Sequence, residues 1–184
     1  MDPSVIAAMA KWPNVPDCHG WLGLDRRGNW RLQGQPVVHP GLAEFIGRNY
    51  ERHDSGAWFM QNGPQRVWVT LEATPWVYRL GSGDTLLTHT GKTAGELHAA
   101  WLVDGEALCL ATEHGVGLVD DRDLPAFFDR LRNADGLPPE GDLDGAALEL
   151  RWAGQRLPLL RCALAELPRI GGFLPQAAAS NSPA

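Results

Sequence analysis

WFMQNGPQRVWVTLEATPWVYRL, from Trp58 to Leu80, decides the fold class. Beyond its turn, Val67, Val69 and Leu71 fall on one side of an alternating run, and Arg66, Trp68, Thr70 and Glu72 on the other. A period of two over this length predicts a β-strand with one face buried. Asn62-Gly63 ahead of it is a strong hairpin signal. Pro64 follows and cannot donate to a ladder, so a loop of about three to five residues is expected there. A further strand, WVYRL, comes after Pro75. Trp68 is the anomaly. A tryptophan on the polar side of a strand marks either a binding surface or a second buried layer.

Working outward, the same grammar repeats. Residues 1–20 read as a short helix, SVIAAMAKW, and a Pro-punctuated lead-in. Trp21 to Val38 reads as a hairpin turning at RRGN. His39-Pro40-Gly41 opens a short helix whose Leu42, Phe45 and Ile46 share a face. ELHAAWLV is compatible with helix or strand, and ALCLATEHGVGLVD reads as a hairpin. DDRDLPAFFDRLRN reads as a helix, with Asp123 as its cap and Pro125 in its first turn. ADGLPPEGDLDG is a loop, and ALELRW, AGQ and RLPLLRCALAEL form a third hairpin-like unit. The tail from Gly171 is expected to be disordered.

Set side by side, the halves match. Each runs strand, strand, short helix, hairpin. Leu42-Ala43-Glu44-Phe45 corresponds to Leu124-Pro125-Ala126-Phe127, and Gln65-Arg66-Val67 to Gln155-Arg156-Leu157. The expected fold is therefore α+β: two similar β-rich lobes of antiparallel hairpins, each with a short helix, arising by internal duplication. The expected organisation is an N-terminal helix and lead-in (1–20), a first lobe (21–80), a second lobe (81–170) and a tail (171–184).

Bulk properties narrow the function classes. Residues 1–80 carry 8 basic and 7 acidic side chains, whereas residues 81–184 carry 8 and 15. An acidic second half without a basic run is a poor footprint for nucleic acid or anionic membranes. No apolar stretch approaches the roughly 18 residues of a membrane span, and the N-terminus does not read as a secretory signal. Three cysteines, Cys18, Cys109 and Cys162, lie far apart without a C-x-x-C, which suits a reduced cytoplasmic protein.

Gly28-x-Trp30, Gly34-x-Pro36-Val37, Pro40-x-Leu42, Gly56-x-Trp58, Arg66 and Leu71-Glu72-x-x-Pro75-Trp76 form a pattern. It resembles the consensus of an uncharacterised proteobacterial family, G-x-W-x-x-x-G-x-P-I-x-R-P-x-L, D-G-x-Y and V-E-D-A-P-F. Leu150-Arg151-Trp152-Ala153-Gly154 through Leu157-Pro158-Leu159 resembles its closing W-S-G-G-x-x-F-P-L. The resemblance implies an α+β protein of repeated β-rich motifs with a signalling association and no assigned activity. Where the family has Arg before Pro this chain has His39, and where it has Asp after Glu this chain has Ala73. Any role of that Arg–Asp pair does not transfer.

Catalytic motifs are missing. Thr88-His89-Thr90-Gly91-Lys92-Thr93 ends like a phosphate-binding loop, but position 86 is Leu where a glycine is needed. Gly115-Val116-Gly117 lacks the third glycine of a dinucleotide fingerprint. Asp120-Asp121-Arg122-Asp123 reads as a helix start rather than a cation site. Cys18-His19 has no partner pair at metal-ligand spacing, and no G-x-S-x-G elbow occurs. No metal, no cofactor and no catalytic residue is expected. The expectation is a non-enzymatic protein-interaction or regulatory module that binds a protein partner or a second copy of itself. The alternative is a small-ligand-binding protein or an unrecognised enzyme with a cleft between the lobes. Tryptophan and arginine are enriched where interfaces draw their energy, so the candidate binding residues are His39, Arg66, Trp68, Glu72 and Arg156.

Overall fold

The structure is a computed structural model that describes residues 1–12, 15–140, 143 and 145–178. The chain divides into two compact units. Unit 1 holds Met1–Asp25, Asn29–Pro75 and the segment from Gly172, and unit 2 holds Arg26–Gly28 and Trp76–Gly171.

Unit 1 contains α1 (Pro3–Lys11), β1 (Cys18–Leu24), β2 (Trp30–Leu32), β3 (Gln35–Pro36), α2 (Pro40–Arg48), β4 (Tyr50–Arg52), β5 (Trp58–Asn62) and β6 (Gln65–Leu71). Its six strands form one sheet in the order β3-β2-β1-β6-β5-β4. Each flanking trio is an antiparallel meander. The two meanders meet where β1 and β6 pair in parallel, Leu22 opposite Val69 and Leu24 opposite Leu71. A parallel pair needs a crossover between its strands, and here α2 lies within the intervening chain. All four of these side chains are buried, so the join is also the centre of the core. Trp30, Tyr50 and Trp58 pack together beside it, with ring centroids 5.0 Å and 4.7 Å from Tyr50.

Unit 2 contains β7 (Trp76–Leu80), β8 (Leu86–Thr88), β9 (Leu97–Val103), β10 (Ala107–Thr112), β11 (Gly115–Val119), α3 (Leu124–Phe128), β12 (Leu131–Arg132), β13 (Glu149–Trp152), β14 (Gln155–Cys162) and α4 (Leu167–Gly171). The sheet order is β12-β13-β14-β9-β10-β11-β7-β8. With the β7–β8 hairpin removed, this is the unit 1 topology again. Strands β9 to β11 form one meander and β12 to β14 the other, α3 connects them, and the first and last strands, β9 and β14, pair in parallel. The α+β fold of two similar β-rich lobes stands, and the duplication is visible in strand order as well as in sequence.

Several expectations need correction. The Asn62–Gln65 turn is tight: those two residues pair directly, leaving Gly63 and Pro64 as a two-residue loop. Gly63 takes a φ of 56°, as a II′ turn asks of its first central residue. The donor that the ladder needs belongs to Gln65, so Pro64 removes nothing. ELHAAWLV is strand, in β9. The helix expected over 120–133 shrinks to α3, because Leu131 pairs with Leu150 in the sheet and is fully buried there. WVYRL leaves the first lobe: as β7 it pairs in parallel with β11 of unit 2.

The tail is ordered as far as it is described. Leu174 N donates to Gly56 O at 2.9 Å and Leu71 N to Pro175 O at 2.8 Å. Phe173 and Ala177 are buried, so this segment clasps unit 1. Residues 179–184 lie outside the described residues.

Gly117 explains the Gly115-Val116-Gly117 run. A Cβ on Gly117 would sit 2.7 Å from the Trp76 carbonyl oxygen and 2.6 Å from Tyr78 Cε2. The glycine is there so that β11 can lie against β7. Gly117→Ala is expected to destabilise the protein by about 3 kcal/mol, at the upper end of overpacking costs. Urea unfolding measures it, and a change below about 0.5 kcal/mol would contradict this account.

Candidate functional site

On the polar face of β6 the chain itself covers Trp68, while Thr70 beyond it stays exposed. Trp68 is only 9% exposed. Its indole N–H donates to Asp17 Oδ2 at 2.8 Å. The His19 ring stacks on it, 5.8 Å away and 20° from parallel. His53 and Phe59 meet it edge-on at 5.3 Å and 5.6 Å, and Ala177 completes the cluster. Trp68 is therefore a second buried layer, closed by the lead-in before β1 and by the C-terminal segment. Arg66 lays its guanidinium over Phe59 at 5.4 Å, a cation–π contact that joins it to the same cluster.

The other candidates lie in separate surroundings. His39 caps α2, its Nδ1 accepting from Leu42 N at 3.2 Å. Glu72 borders a shallow groove of about 380 Å³ with Trp21, Arg31 and Thr70, floored by Gly23. Arg156 belongs to unit 2, where it pairs across the ladder with Arg151. The two arginines line a 460 Å³ cavity with Asn133, Asp135 and Glu149, and Glu149 holds Arg151 at 3.0 Å.

A better-formed site lies on the opposite face of the unit 1 sheet. A cavity of about 450 Å³ sits between α2 and the strands. Leu42, Phe45 and Ile46 line it from the helix, and Leu22, Met60 and Val67 from the sheet. Cys18, Asn62 and Gln65 supply its polar atoms. Trp21, Leu32 and Leu42, which also line it, remain 52%, 43% and 40% exposed. Volume and lining fall within the usual range for small-molecule sites, which are mostly apolar with a few polar groups. The periodicity of α2 marked Leu42, Phe45 and Ile46 as a core-facing stripe but could not show that the stripe is incompletely covered.

The carboxylate cluster after β11 is structural. Asp120 is buried, accepts from Arg122 Nε at 2.8 Å and forms an ion pair with Arg79, whose Nε lies 3.0 Å away. Asp121 pairs with Arg27 at 2.6 Å. Asp123 makes no side-chain cap to α3, and its Oδ2 accepts from Leu80 N at 2.9 Å instead. Among the described residues no group of three or more His, Cys, Asp or Glu converges as a metal site would. The 88–93 loop leads through an isolated bridge into strand β9, not into a helix, so it lacks the frame of a phosphate loop.

Comparison with known proteins adds the family. The family model DUF2944, described as a protein of unknown function (DUF2946), matches residues 1–178. The chain belongs to this family. The resemblance to an uncharacterised family read from the sequence agrees with that membership. Among solved structures, a DUF1285 family protein from Silicibacter pomeroyi DSS-3 superposes with a TM-score of 0.54. The match is 18% identical and covers 86% of this chain and 87% of that one, a likeness of fold alone. No curated protein matches. No helix among the described residues is long and apolar enough to cross a membrane.

Two measurements test these assignments. Trp68→Ala is expected to cost about 3 kcal/mol, as removal of a buried aromatic does. A loss below about 0.5 kcal/mol in urea unfolding would return Trp68 to the surface. The Arg122 hydrogen bond, with Arg79 beside it, holds the Asp120 carboxyl below its ordinary value of 3.8. A carboxylate whose pKa is depressed on folding stabilises above its unfolded pKa and loses that contribution as pH falls through the folded one. Asp120→Asn should therefore cost about 2 kcal/mol at pH 7. The gap to the native protein should narrow progressively below about pH 4. A gap independent of pH would contradict the ion-pair reading.

Proposed function

We propose that the protein is a non-enzymatic regulatory module whose recognition site is the unit 1 cavity, and that it binds a small apolar molecule there. The observation that carries the reading is an apolar cavity of about 450 Å³ with Trp21, Leu32 and Leu42 exposed along its lining. Apolar surface left in water costs roughly 25 cal/mol per Å², and a ligand that covers it recovers that cost. The lining argues for binding rather than chemistry. Among the described residues that line it, Asn62 and Gln65 bring amides and Cys18 a thiol, and none brings a carboxylate, imidazole or ammonium to move a proton. Three cysteines without a disulfide suit a cytoplasmic setting.

A second reading, a protein partner or a second copy docking on this mouth, draws on the same exposed side chains together with Val38, which is 87% exposed. The closed Trp68 face does not serve such a partner without first opening.

The test is titration with 1-anilinonaphthalene-8-sulfonate, read by dye fluorescence, in the native protein and in Leu42→Asp and Leu32→Asp. Saturable binding weakened about tenfold or more in both variants is expected. Undiminished binding in the two folded variants would place the dye elsewhere and remove this cavity as the site. Concentration-dependent size-exclusion elution abolished by the same substitutions would favour the docking reading.

A further inference from the structure

The two repeats differ in what fills one equivalent place. Asn62 and Trp152 each end the fifth strand of their repeat and precede a two-residue turn. Each faces a glutamine across the ladder, Gln65 or Gln155. Two residues back, Met60 pairs with Val67 and Tyr50, and Leu150 pairs with Leu157 and Leu131. The register therefore equates Asn62 with Trp152 without a gap.

Their surroundings part there. Trp152 is buried, and its indole lies flat on Phe127 of α3, 5.1 Å between centroids and 9° between planes. Arg130 covers it at 4.5 Å. In unit 1 the side chain at this position is the small amide of Asn62. The space beside it, between strand and helix, is the cavity lined by Phe45, Ile46, Met60 and Val67. Alternation puts Asn62 on the same strand face as Met60, just as Trp152 shares its face with Leu150.

From this we infer that the unit 1 cavity takes a small planar bicyclic aromatic molecule, indole-like in size, in the place that the second repeat fills with its own Trp152. The inference rests on the cavity being the recognition site proposed above. Apolar cavities of even about 150 Å³ bind benzene, so 450 Å³ accommodates two fused rings. The lining suits an aromatic better than an alkyl chain. Phe45 offers a ring to pack against, and Met60 and Cys18 offer sulfur, which makes favourable contacts with aromatic rings. The amides of Asn62 and Gln65 give a ring N–H or a polar substituent its hydrogen-bond partner.

Calorimetric titration with indole and with octanoate, an apolar ligand without a ring, tests the inference in the native protein and in Asn62→Trp. Indole is expected to bind the native protein about tenfold or more tightly than octanoate does. Asn62→Trp is expected to fold, with an unchanged or higher melting temperature, and to lose indole affinity about tenfold or more. Should Asn62→Trp not fold, Asn62→Phe and Leu42→Asp are read in the same way. Octanoate binding as tightly as indole, with both blocked by Asn62→Trp, overturns the aromatic class and leaves the cavity as the site. Undiminished indole binding in folded Asn62→Trp overturns the inference, as does failure of indole to bind at all. If dye binding is also insensitive to Leu42→Asp, the proposed site falls with it.

Discussion

Each unit depends on one pairing between strands that are far apart in the chain. In unit 1 it joins β1 to β6, and in unit 2 it joins β9 to β14. The meanders on either side can close locally through tight turns, but neither is large enough to hide its own apolar face. The parallel join fuses two three-stranded pieces into one sheet and buries Leu22, Leu24, Val69 and Leu71 at the seam. It also forces a crossover between the third and fourth strands, which places α2 in the connection of unit 1 and α3 in that of unit 2. The cavity in unit 1 is a consequence: it lies where the crossover helix meets the sheet and leaves space.

Duplication gave both repeats this frame, and divergence changed how each closes it. Unit 2 fills the junction of helix and fifth strand with Trp152 and Phe127, capped by Arg130. Unit 1 keeps Phe45 at that junction but has Asn62 where unit 2 has the tryptophan. Trp30, Tyr50 and Trp58 pack beside the seam, and Trp68 with Phe59 forms a second layer on the far face. Much of the pattern shared with the uncharacterised family is architectural in this light. Trp30 is core, and Gly28 has a φ of 78° at a place where a Cβ would lie 2.5 Å from His89 Cβ. Pro75 offers its carbonyl to the buried Tyr50 hydroxyl at 3.0 Å.

What was legible in the sequence was local. Alternation identified β6, turn residues located the hairpins, and the echo of Gln65-Arg66-Val67 in Gln155-Arg156-Leu157 marked the same first three residues of the sixth strand in both repeats. Carried back through the turn, that echo sets Asn62 against Trp152, the one difference that points to the cavity. Apart from the length of the Asn62–Gln65 turn, the main errors were non-local. The helix after Asp123 ends early because Leu131 is claimed by β13. WVYRL follows the first lobe in sequence but pairs with β11. The tail carries weak propensity of its own and is ordered by hydrogen bonds to Gly56 and Leu71. Of the candidate site residues, Arg66 and Trp68 meet at Phe59, whereas His39 serves as a helix cap.

The sequence by itself determined an α+β chain of two repeated β-rich units, because period-two alternation, turn chemistry and capping act within a few residues of one another. Only the tertiary structure decided which tryptophan is hidden and which space is left open. Burial of Trp68 depends on Asp17, His19 and Ala177 arriving from distant parts of the chain. The cavity beneath α2 depends on how far a helix stands from a sheet, a distance set by side chains on both elements together and by no single stretch of the chain.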